Sequence, residues 1–121
     1  MSNVRRQNMP TNFVPVDALS QVVFVHDYIQ LVFQDQAFSF YNKISVVNQS
    51  DTVRQGAPGF ADFLVSLIGT RVKEASALPP SALELTFQCG AKLRVLRGEP
   101  YENGPEAFQF NGPDGLVVEQ N

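Results

Sequence analysis

Apolar and polar positions alternate along much of this chain. Ile29, Leu31 and Phe33 fall on one side of an extended segment, and Tyr28, Gln30, Val32 and Gln34 on the other. Period-two alternation of this kind marks a half-buried strand. Just before it, Gln21 to Val25 is a β-branched and aromatic run of the same type. His26-Asp27 interrupts the two runs as a polar turn. Asp35-Gln36 is the expected hairpin turn after them. Phe38 and Phe40 then continue the apolar side on the return, with Ala37, Ser39 and Tyr41 facing away, and Ile44 and Val46 extend that strand past Asn42-Lys43. Residues 48–58 read as a polar connector.

The period changes after the connector. Phe60, Phe63, Leu64, Leu67 and Ile68 recur at steps of three and four, which predicts one amphipathic helix. Asp62 complements the positive end of its dipole, and Gly69 suits a left-handed cap. Thr70 to Ala75 then reads as a strand whose Arg71, Lys73 and Glu74 suit an edge. Leu83, Leu85 and Phe87 alternate with Glu84, Thr86 and Gln88; after Cys89-Gly90, Lys92 and Arg94 alternate with Leu93 and Val95. The polar side of this second hairpin is charged and is expected to be solvated. Phe108 and Phe110 suggest a further strand, and Asn111-Gly112-Pro113-Asp114-Gly115 a turn into a last one.

The two hairpins resemble each other. Leu31-Val32-Phe33-Gln34 matches Leu85-Thr86-Phe87-Gln88, and Leu19-Ser-Gln-Val-Val matches Ile68-Gly-Thr-Arg-Val. This suggests an internal repeat over 19–47 and 68–97, with two similar sheet halves around one core. Ile68-Gly69-Thr70-Arg71-Val72, followed by Leu83-Glu84-Leu85-Thr86-Phe87, Cys89-Gly90 and Leu93-Arg94-Val95, resembles small bacterial proteins with a duplicated Ile-Gly-x-x-Val / Leu-x-Leu-x-Phe hairpin motif. Some of these are immunity-protein-like and belong to gene neighbourhoods that encode toxins. The resemblance covers core and turn positions, so it implies a fold and carries no catalytic residue across.

Charge is spread unevenly. Residues 1–16 carry Arg5 and Arg6 and no acid; residues 99–121 carry five acids, Glu99, Glu102, Glu106, Asp114 and Glu119, and no base. An acidic end repels phosphate, so no nucleic acid is expected and a basic protein partner is the better electrostatic match. The single cysteine, Cys89, excludes a disulfide scaffold. No apolar segment follows the two arginines and no run is long enough to span a membrane, so a cytoplasmic location without membrane attachment is expected.

Few residues offer bond chemistry. His26 and Asp27 are neighbours in an extended segment and would point apart, so they do not form a dyad without a turn. Cys89 sits at a hairpin tip with no base placed beside it, and an inward-facing turn residue is expected there. Glu99, Glu102 and Glu106 share one loop without calcium-loop spacing, and one Cys with one His excludes a zinc site. No catalytic residue, metal site or cofactor is read. The distinctive feature is the second side of the first hairpin: Tyr28, Gln30, Val32 and Tyr41 are uncharged where the second hairpin is charged. The helix, a second copy of the chain or a partner could cover it.

These patterns predict an α+β fold, mostly antiparallel β, with about seven or eight strands arranged as a sandwich or small open barrel and one short helix near 59–68. Residues 1–15 are expected as a flexible arm and 16–121 as a single globular domain. The functional expectation is a non-enzymatic protein-interaction domain, immunity-protein-like by resemblance, acting on a protein partner or through self-association. Its binding residues would be Tyr28, Gln30, Val32, Tyr41, Glu99 and Glu102. The alternatives are a small-molecule-binding domain with an aromatic pocket and an enzyme using His26 or Cys89.

Overall fold

The computed structural model of the chain describes residues 7–8, 14–77, 81–100, 106–112 and 115–120. Its strands are, in chain order, Gln7–Asn8 (β1), Gln21–Val25 (β2), Tyr28–Phe33 (β3), Gln36–Phe40 (β4), Asn42–Asn48 (β5), Asp51–Arg54 (β6), Val72–Ala77 (β7), Ser81–Phe87 (β8), Lys92–Pro100 (β9), Glu106–Gly112 (β10) and Gly115–Gln120 (β11). One helix, Phe60–Ser66 (α1), lies between β6 and β7. The strands form two antiparallel sheets, β1-β7-β8-β9-β5-β6 and β11-β10-β4-β3-β2. The fold is thus an α+β sandwich.

Both sheets follow one plan. β2–β3–β4 is a meander in one sheet; the chain then crosses at the single residue Tyr41 and adds the hairpin β5–β6 to the other. β7–β8–β9 is a meander in that second sheet, and its following hairpin β10–β11 is added to the first. Each half of the chain therefore completes the sheet begun by the other half. The register agrees position by position: Leu31 pairs Phe38, which pairs Phe110, just as Leu85 pairs Leu93, which pairs Val46. At the crossing, the Tyr41 N–H donates to the carbonyl of Ala107 at 3.0 Å, while the fully buried Asn42 amide donates to the carbonyl of Leu96 at 2.7 Å. Adjacent residues thus bond into different sheets.

The core lies between the sheets as one cluster. Ile29, Leu31, Phe33, Phe38, Phe40, Phe108 and Phe110 face Ile44, Val46, Leu83, Leu85, Phe87, Leu93 and Val95, and all are essentially inaccessible. Phe38 is at its centre. Its ring stacks on Phe110 at 4.2 Å and meets Phe40 at 5.7 Å, Phe108 at 6.2 Å and Phe33 at 6.4 Å. Helix α1 packs beside β2 and β5 and puts Phe60 and Leu64, with Leu67 just after its end, into the same cluster. A helix of two turns has little stability of its own, so this docking is what holds it. Leu19 ties its far end down: its N–H donates to the carbonyl of Thr70, and its carbonyl accepts from Gly69 N–H.

Several local expectations are corrected. The strand pattern extends further than the alternation suggested, to eleven strands among the described residues. Ile44 and Val46 belong to β5 in the opposite sheet, not to a continuation of β4, and part of the polar connector is β6. The first hairpin turns at Gln34-Asp35 rather than Asp35-Gln36, because pairing Phe33 with Gln36 keeps Phe33 and Phe38 both inward. Gln34 accordingly takes a left-handed φ of 62°. The helix ends at Ser66, so Ile68 lies beyond the apolar stripe and is exposed. Gln7–Asn8, within the expected arm, pair with the edge of β7.

Candidate functional site

The inner faces of the two sheets are alike, and the outer faces are not. On the β7–β8–β9–β5–β6 side, one cross-strand row reads Ser76, Glu84, Arg94, Ser45, Arg54, and the next Glu74, Thr86, Lys92, Val47, Thr52. On the other sheet the rows run Val23, Gln30, Ser39, Gln109, Val118 and Gln21, Val32, Ala37, Asn111, Leu116. A third row begins with Val25 and Tyr28 and reaches Tyr41. None of these residues is charged.

The charged face stabilises itself. The Glu84 carboxylate accepts from Arg94 Nε at 2.6 Å and lies 3.9 Å from Lys92 Nζ. Its side chain is only 5% exposed against 38% for each cation. The outward side of the second hairpin is therefore not uniformly solvated, as its composition suggested. The long cations of β9 beside Glu84 and the small Ser76 opposite it let the carboxylate sink into the row.

The uncharged face lies on the other sheet. Tyr28, Gln30, Val32 and Tyr41, the positions singled out from the sequence, share it, and each is half-buried. Tyr28 and Tyr41 meet with ring centroids 5.6 Å apart at a tilt of 51°. Gln30 Nε2 donates to Ser39 Oγ at 3.2 Å, which fixes the amide near the middle of the face. Burial lifts the Tyr41 phenol above its ordinary pKa of 10.0, the nearby Glu106 carboxylate adds to this, and a hydrogen bond with Ser39 opposes it. Helix α1 does not lie over this face, since its apolar side is spent on the core between the sheets.

The structure also extends the face beyond the first hairpin. Val23 and Val25 of β2, Gln109 and Asn111 of β10, and Leu116 and Val118 of β11 complete it, and Leu116 is 60% exposed. Sequence reasoning passed over β10 and β11 because only pairing with β4 brings them alongside. One sequence signal exists: Gln109 and Asn111 flank the inward Phe110 and carry no charge within an otherwise acidic segment.

The remaining candidates do not gather around the tyrosines. Glu102 lies outside the described residues, and of Glu99 only the backbone, at the end of β9, is described. His26 is exposed at the β2–β3 turn of one sheet. Cys89 is at the β8–β9 tip of the other, where it is exposed rather than inward-facing. The reason is the four-residue connection 88–91: Gly90 takes the left-handed φ of 97°, Ala91 carries the buried side chain, and Cys89 is left at the apex. Among the described residues, no three His, Cys, Asp or Glu side chains converge in a metal-binding group, and no helix is long and apolar enough to cross a membrane. Compared with known protein families, curated proteins and solved structures, the chain matches none.

Proposed function

We propose that this domain is a non-enzymatic interaction module that binds a protein partner on the outer face of the β11-β10-β4-β3-β2 sheet. The observation that carries the reading is the contrast between the two outer faces. The same topology presents a charged, self-paired face on one side and an uncharged face with two tyrosines on the other. Tyrosine combines large contact area with a polar tip, and depletion of charge is a mark of interface centres. Five strands by three outward rows cover about 500 Å² in projection, against roughly 800 Å² for one side of an ordinary interface. The face would supply most of a contact and its rim the rest.

That rim is acidic. Glu106 and Asp27 both act on the Tyr41 phenol from that rim. A partner with a flat apolar centre and basic surroundings fits best, since complementary charge speeds encounter and suppresses wrong partners. A bacterial immunity protein acting in the cytoplasm on a basic toxin meets this description, and the hairpin motif points the same way. The test is growth protection. Co-expression with the toxin encoded beside the gene should rescue growth, and Val32→Lys or a Tyr28→Ala/Tyr41→Ala pair should abolish rescue while leaving the circular dichroism spectrum unchanged. Rescue that survives these substitutions, or no rescue together with no basic protein co-purifying, would overturn the proposal.

A further inference from the structure

The two halves of the chain differ at their edges. β2 and β7 are equivalent strands, each opening its own meander. β7 has a neighbour on its outer side, where Gln7 pairs Ala77 and Asn8 pairs Ser76. Among the described residues, β2 pairs only with β3 and ends its sheet. The edge strand β6, by contrast, carries Asp51 and Arg54, which discourage pairing. β2 reads Gln-Val-Val-Phe-Val, with no charge, proline or glycine. It keeps Phe24 50% and Val25 36% exposed.

The main chain of β2 is set up to accept a strand. Val25 and Tyr28 flank the two-residue turn His26-Asp27, so their N–H and C=O groups face each other. Alternation then turns Gln21 and Val23 toward β3, and Val22 and Phe24 away from it. Among the described residues, no loop or turn bond reaches Val22 or Phe24 from that open side.

We propose that β2 pairs antiparallel with β2 of a second copy about a two-fold axis at Val23, joining two five-stranded sheets into one. The strand is complementary to itself in this register. Val22 stands opposite Phe24 of the partner copy, so the groups that point outward meet each other and form about four main-chain hydrogen bonds. Phe24 comes to rest against a valine on the inward side, and Gln21 faces Val25 on the outward side. No charge is brought together, although each chain carries a net charge of −3. With five residues a side, the contact is smaller than a standard interface, so the dimer is a weak one that concentration controls. The outer faces of the two copies become continuous across the axis.

Sedimentation velocity over a concentration series tests this. The wild-type mass should rise from one chain to two. Phe24→Pro, which removes an N–H only from the open side, and Phe24→Lys should both stay at one chain with unchanged circular dichroism. Val23→Cys in a Cys89→Ser background should cross-link to a covalent dimer on mild oxidation, because the two Val23 positions form a close, non-hydrogen-bonded pair. A single-chain mass throughout the series would overturn the proposal. So would a dimer that survives both Phe24 substitutions, or one abolished by Val32→Lys but not by Phe24→Lys, which would place the axis on the outer face.

Discussion

Phe38→Ala removes the ring on which the aromatic cluster converges. The side chain is fully buried, with four phenylalanine rings around it and the closest stacked at 4.2 Å. Losing the transfer free energy of a buried phenylalanine costs about 2–3 kcal/mol. A residual cavity of about 80 Å³ adds about 2 kcal/mol at the usual cost per unit volume, which places the total near the upper end of the 3–5 kcal/mol range for such changes. A domain of this length is expected to have about 6–18 kcal/mol in all, so the variant should fold but lose a large share of its margin. Urea titration followed by circular dichroism and tyrosine emission is the assay, since the chain has no tryptophan. The midpoint should fall steeply with little change in slope. Phe24→Ala, at a half-exposed ring, is the control and should cost under about 1 kcal/mol. A Phe38→Ala loss below about 2 kcal/mol, or one no larger than the control, would refute the placement of this ring at the closed centre of the sandwich.

Two further outcomes follow from the polar rows. Arg94→Met, which leaves the buried Glu84 carboxylate without its 2.6 Å partner, should cost about 2 kcal/mol, whereas Lys92→Met, at 3.9 Å and partly exposed, should cost about 0.5 kcal/mol or less; equal losses on urea titration would contradict the asymmetry. The folded protein holds the Tyr41 proton more tightly than the unfolded chain does, so stability should be full below pH 10 and fall as pH rises from there through the folded value. Tyr41→Phe should flatten that decline above pH 10, and a variant as pH-sensitive as the wild type would exclude Tyr41 as its source.

The sequence disclosed what is local. Ile29, Leu31 and Phe33, and Leu83, Leu85 and Phe87, alternate so regularly that strand and inward face could both be read, and the structure buries all six. The uncharged side of the first hairpin was equally legible. What escaped notice depends on distant partners. Nothing near Asn42 shows that the chain changes sheets there, because its amide is committed to Leu96, fifty-four residues away. Asp51–Arg54 has no apolar rhythm and is a strand only because β5 is beside it. Glu84 looked like any surface carboxylate; its burial comes from arginine and lysine positions on the next strand. The rest of the uncharged face was hidden for the same reason, since β10 and β11 reach it by pairing after a long excursion of the chain.

The crossing at Tyr41 has a consequence for how the chain is made. During synthesis the β2–β4 meander emerges first, with the inward rows of Ile29, Leu31, Phe33, Phe38 and Phe40 already in place. Of the residues that cover those rows, Ile44 and Val46 of β5 follow at once, but Leu83, Leu85, Phe87, Leu93 and Val95 come from β8 and β9, beginning some forty positions later. At about 5–20 residues per second, a nascent aromatic sheet face stands partly open for roughly 2–9 seconds or more. The first half shelters that face only in part, because the hairpin β5–β6 is all it supplies to the opposite sheet. Folding is therefore non-local and slow to commit, since most of the cover for that face must first be synthesised.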